Sequence, residues 1–202
     1  MAFLIGFSVT ITWGTISAAQ SAVEKVAASA QEVAWLTENM QDKEAASEIG
    51  LTLKKYLETV QTQDVDRLAA RDLRGMPSFT YIDALQGQLH NLTISRSVDG
   101  EGASRAMDAA AAIAENQAEL VSIARRQLPD ALLWLLLVAG TLSSMVMGIV
   151  ATKVDGPFLL IGWALVSAIG ISVVLIMYAP FSGDIAVDMQ ALDDAAHRIL
   201  TP

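Results

Sequence analysis

Few side chains in this 202-residue chain can do chemistry, and their spacing narrows what that chemistry is. There is no cysteine, which removes a disulfide framework, a thiolate metal site and a cysteine nucleophile together. The two histidines, His90 and His197, lie far apart in sequence and cannot form a His-rich metal cluster. No glycine-rich phosphate loop, nucleophile elbow or His-Glu-x-x-His occurs, and Glu-Gly-Ala-Ser-Arg at 101–105 lacks the rest of any phosphate motif. Glu115 and Glu119 stand one helical turn apart, but without a partner base they read as solvated helix surface. An enzyme is not expected.

Two features remain. Phe3 and Phe7 stand at i and i+4, Gly6 lies beside them, and Thr10 continues the line at i+7. That face can touch lipid. In a symmetric ring it would instead stack phenylalanine girdles around an axis, and such constrictions gate by dewetting. The other feature is Pro180-Phe-Ser-Gly-Asp184, followed by Asp188, Asp193 and Asp194. Proline and glycine end a helix, and the acids can simply open a short amphipathic tail helix. Alternatively Asp184 and Asp188 supply oxygens to a calcium ion, although the spacing is not that of an EF-hand.

The elements that must carry these residues are apolar. The chain is 53% hydrophobic and 17% charged, with a mean hydropathy of +0.43. An ordinary soluble domain carries about 25% charge. The charges avoid Met1–Val23, Ala131–Thr152 and Gly156–Gly183 altogether. Ala131–Thr152 would rise about 33 Å as a helix, enough for a hydrocarbon core of about 30 Å. Phe158–Tyr178 is similar, and the short turn-rich Lys153-Val-Asp-Gly-Pro157 makes the two antiparallel neighbours. The apolar N-terminal stretch carries five hydroxyls and has no basic residue before it, so it reads as a third span and not as a cleaved signal.

The expected organisation is therefore all-α: spans at 1–19, 130–152 and 157–179, a helical region at 20–129, and an acidic tail at 180–202. Lys25, Arg125 and Arg126 place the 20–129 region and the tail in the cytoplasm by the positive-inside rule. Asn91-Leu-Thr93 fits a glycosylation acceptor, an accidental match on that side of the membrane. Within the region, Val23, Val26, Ala30, Val33 and Leu36 alternate steps of three and four. Ile49, Leu53, Tyr56, Leu57 and Val60 do the same before Gly75 and Pro77 break the pattern. Ile82, Leu85, Leu89 and Leu92 form a third stripe; Gly100-Glu-Gly102 reads as a turn, and Met107, Ala111, Ala114 and Ile123 as a fourth stripe. The net charge of −9 excludes nucleic acid and a polybasic lipid patch.

The C-terminal block, from ALLWLLLVAGTLSS through PFSGDIAVD, resembles a bacterial bestrophin-like membrane family catalogued as a domain of unknown function. The N-terminal AFLIGFSVTITWGTISAAQSAVEKVAA resembles that family's other signature, a partly polar span leading into a long helix with an early glutamate, here Glu24. The resemblance covers both ends of the chain. It implies a bacterial inner-membrane, multi-pass protein, a ring-shaped homo-oligomer with a pentamer favoured, and kinship with the bestrophin anion channels. Phe3-Leu-Ile-Gly-Phe7 is similar to the pore-neck stretch of those channels, which makes Phe3, Phe7 and Thr10 candidate pore-lining residues. Pro180-Phe181 followed by acids resembles their calcium clasp, but the acids are scattered here and Tyr178 stands where that family has an aspartate. The family's first membrane helix has no counterpart before Met1, so the chain reads as a short member or as one with a late start. The function implied is passive conduction of small anions across the lipid bilayer. The alternative is a non-conducting membrane scaffold or sensor whose cytoplasmic helices bind a protein.

Overall fold

The computed structural model describes residues 2–70, 72–94, 100–125, 130–151, 157–177 and 188–200, all of them helices and connecting turns. Two compact units emerge: Met1–Ser17 with Arg126–Ala186, and Ala18–Arg125 with Val187–Pro202. A single helix, α1 (Ala2–Glu38), gives its first residues to one and the remainder to the other.

In the first unit, α6 (Asp130–Ala151) packs against α7 (Pro157–Met177). Pro157 opens α7, where its fixed φ suits a helix and its missing N–H would have no partner anyway. The hydroxyls of Thr141 and Ser144 donate to the carbonyls of Leu137 and Gly140, both at 2.8 Å, so these polar groups are satisfied within their own helix. Large apolar side chains remain exposed around both helices: Trp134, Leu137, Met145 and Val146 on α6, and Ile161, Leu165 and Val166 on α7. Over the described residues no helix is long and apolar enough to cross a membrane. The expected spans 130–152 and 157–179 both run into residues outside the description, as does the linker between them.

The second unit is a helical bundle: the rest of α1, α2 (Lys43–Thr59), a π-helical turn (Val60–Asp64), α3 (Val65–Ala70), α4 (Ser78–Ile94), α5 (Gly100–Arg125) and α8 (Gln190–Leu200). The α1 stripe is buried throughout, with Val23, Val26, Ala30, Val33 and Leu36 inward. After α1 the chain turns, Asp42 caps α2 by accepting the Ala45 N–H at 3.0 Å, and Glu44 faces the positive end of the helix dipole. Ile49, Leu53, Tyr56, Leu57 and Val60 all point into the core, as expected. The break at Gly75 and Pro77 is also present. Gly75 has φ +59°, a conformation that glycine adopts without strain, and Arg67 ties the loop by donating to the carbonyls of Arg74 and Gly75. From there α4 packs on α2 and α5, and α8 packs on α2, with its Leu192 and Ala195 buried.

Two expectations are corrected. Gly100-Glu-Gly102 is the first turn of α5 and not a turn between helices. The buried face of α5 includes Ala103, Ala106, Ala110, Ile113, Gln117, Leu120 and Ala124; of the expected stripe Ile123 is buried, while Ala111 is exposed and Met107 and Ala114 are half-buried. In a helix so rich in alanine, an apolar residue lies in every direction, so apolarity alone does not select the face. A glutamine occupies the middle of the true one.

Candidate functional site

On α1, Phe3, Phe7 and Thr10 fall within an arc of about 60° at 100° per residue. Phe7 is 47% exposed, Thr10 is exposed, and the same face continues through the exposed Gly14 and Ser17. The side chain of Phe3 lies outside the described set. On the opposite face Ser8 and Thr12 are buried, Thr12 donating to the Ser8 carbonyl at 2.8 Å and the Ser8 hydroxyl making no hydrogen bond. Thr10 donates to the Gly6 carbonyl at 2.9 Å and Thr15 to that of Ile11 at 3.1 Å. The hydroxyls thus split between the two faces. The exposed face presents an aromatic ring and then small residues.

The acidic tail divides differently. Asp184 and the Pro180–Gly183 motif lie outside the described residues. Asp188 is exposed. Its Oδ1 accepts the Gln190 N–H at 2.8 Å at the start of α8, and its own N–H donates to Gln20 Oε1 of α1 at 2.9 Å. Asp193 Oδ1 accepts from Gln61 Nε2 at 3.3 Å. So Asp188 stabilises the helix start, as the plainer reading held. Among the described residues no group of three or more His, Asp or Glu side chains converges as a metal site. Glu115, Glu119 and His90 are exposed.

Sequence reasoning missed a buried polar cluster in the second unit. Asp64, the last residue of the π turn, is 0% exposed. Its Oδ2 accepts from Ser78 Oγ, the first residue of α4, and from Gln117 Nε2 of α5 at 2.8 Å. Gln117 Nε2 also donates to Ser78 Oγ, and its Oε1 accepts the Tyr56 hydroxyl of α2. Asp64 Oδ1 has no hydrogen-bond partner. Burial pushes the Asp64 carboxyl above the usual carboxylate range, outweighing the lowering by Ser78, by the Arg67 charge and by Gln117. Burial and the neighbouring Asp64 push the Tyr56 phenol further up, so it remains a neutral donor. The signal was present: the α2 stripe continues in steps of four from Val60 through Asp64 to Leu68, which places a carboxylate where a core residue belongs.

An all-helical chain with an apolar helix pair and a helical bundle is the fold of the bacterial bestrophin homologues. The bestrophin homologue of Klebsiella pneumoniae superimposes with a TM-score of 0.82 at 13% identity, covering 98% of this chain and 82% of that one. A second variant of it gives 0.80 with the same identity and coverage. A further crystal structure, of a membrane protein, gives 0.80 at 14% identity, covering 98% and 81%. No curated protein sequence matches the chain. Residues 1–192 match the Bestrophin-like domain, and the chain belongs to the Bestrophin-like family.

Proposed function

We propose that this chain is one subunit of a ring-shaped, passive anion channel in a bacterial inner membrane, with a pentamer favoured. The α1 face of Phe3, Phe7 and Thr10 turns to the axis and forms a hydrophobic neck. The observation that carries the reading is the exposed half of α1 in the first unit, where Phe7 and Thr10 stand outward while Ser8, Thr12 and Ile16 are buried. Family membership and the exposed apolar surface of α6 and α7 support placing the first unit in lipid, with 1–19, 130–152 and 157–179 as spans. The second unit and the tail then lie on the cytoplasmic side. Calcium at Asp184 and Asp188 is a subordinate part of the reading, because one oxygen of Asp188 already holds the start of α8.

Halide efflux from proteoliposomes tests the neck. The double substitution Phe3→Ala, Phe7→Ala removes a dewetting barrier and should raise leak several-fold. Unchanged flux from a variant that still assembles would sink the assignment. The same assay with and without calcium, on wild type and Asp188→Asn, tests the subordinate site. A second reading, a non-conducting scaffold, draws on Trp35, 62% exposed beside Leu36, Met40 and the Glu101–Arg105 pair. It predicts no flux from either form.

A further inference from the structure

Asp64 is placed as a functional carboxylate would be. Four polar side chains from α2, the π turn, α4 and α5 converge where an apolar stripe would otherwise run. The heavy-atom positions match one set of donations. Gln117 spends both amide hydrogens on Asp64 and Ser78, and its carbonyl on Tyr56. Ser78 donates to the carboxyl, so Oδ2 can only accept. Any proton on Asp64 therefore sits on Oδ1, the oxygen with no partner. Among the described residues, the charged and titratable groups that face it are Tyr56 of α2 and Arg67 of α3. From α4 and α5 come only Ser78 and Gln117, which do not titrate. The Arg67 guanidinium is already engaged by the carbonyls of Arg74 and Gly75.

The backbone beneath Asp64 is also unusual. Val60–Asp64 is π-helical, and the Val65 N–H donates to the Val60 carbonyl five residues back. Such a turn holds one residue more than an α-helical turn and is kept only where local contacts favour it. The same turn reaches outward: Gln61 Nε2 donates to Asp193 Oδ1 of α8, and the two helices share a groove with Asp188, Met189 and Gln190.

We propose that Asp64 is a proton-controlled latch: with its carboxyl neutral it pins the π turn to α2, α4 and α5, and on losing its proton it frees that turn and loosens α8. An ionised Asp64 would place a charge with one unpaired oxygen in a buried junction, which favours its leaving the core. Its departure lets the π turn relax toward α-helix and shifts Gln61, the hydrogen-bond link to α8. The sign is fixed by linkage. The folded state binds the proton more tightly than the unfolded chain, so the latch is closed below about pH 4, the unfolded aspartate value. It weakens as pH rises through the folded value.

The test is hydrogen exchange on the full-length protein in detergent, corrected for the intrinsic pH dependence of exchange. In the wild type, protection of the Val65 amide and of the α8 amides should fall several-fold as pH rises from about 4 to neutrality. In Asp64→Asn, a neutral isostere that can accept the same two hydrogen bonds, both should be independent of pH. An equal pH dependence in the two proteins overturns the latch, as does a wild-type profile that is flat. A change at Val65 without one at α8 overturns the link to that helix. Should Asp64→Asn not fold, Ser78→Ala decides: with one donor to the charged form removed, the wild-type transition must move to higher pH, and an unmoved transition overturns the proposal.

Discussion

Gln117 uses its whole amide inside the second unit, which makes it the residue whose loss should be felt most. Gln117→Leu keeps the approximate volume but strips partners from Tyr56, Ser78 and Asp64. It should destabilise the bundle by on the order of 3 kcal/mol, read as a lowered denaturant midpoint. Tyr56→Phe removes one donor from the edge of the same cluster and should cost about 1 kcal/mol. By contrast Arg105→Ala, which breaks an exposed pair with Glu101 at 3.0 Å, should change the midpoint little. At this scale the sequence is a poor guide. Gln61, Thr62, Gln63 and Asp64 form a polar run that reads as solvated surface, yet Asp64, four residues from both Val60 and Leu68, is buried with them while Thr62 and Gln63 stay out.

Helices were legible wherever the core residues are large and their neighbours polar, as in α1, α2 and α4. They were misread in α5, where small residues on all sides hide the face that packs. Ends follow their chemistry. Asp42→Ala should cost about 1 kcal/mol through the lost cap on α2. Gly75→Ala should cost about 1–2 kcal/mol, since φ of +59° strains any residue with a Cβ although nothing crowds the position. Thermal unfolding of the two single variants measures both. The motif at Pro180–Asp184 was read as a helix stop followed by acids, and α8 with its Asp188 lead-in agrees with the part of that reading the structure describes.

For the molecule as a whole, composition and charge placement separate an apolar part from a polar helical one, while the two compact units of the fold have bounds of their own and divide the expected 180–202 tail between them. The assembly was not legible, because a monomer's exposed face does not say what covers it. Native mass spectrometry of the full chain in mild detergent should give a closed ring, with five subunits expected. A monomer or dimer cannot surround an axis with the α1 face and would leave the channel proposal without a pore.

The tryptophans turn these surfaces into optical reporters. Trp134 is 67% exposed on α6 of the first unit, and Trp35 is 62% exposed at the end of α1 in the second. In reconstituted single-tryptophan variants, lipids with brominated chains should darken and shorten the emission lifetime of Trp134 while sparing Trp35. Aqueous iodide should do the reverse. Light thus tests the proposal that the first unit meets lipid and the second meets water, before any ion has been asked to cross.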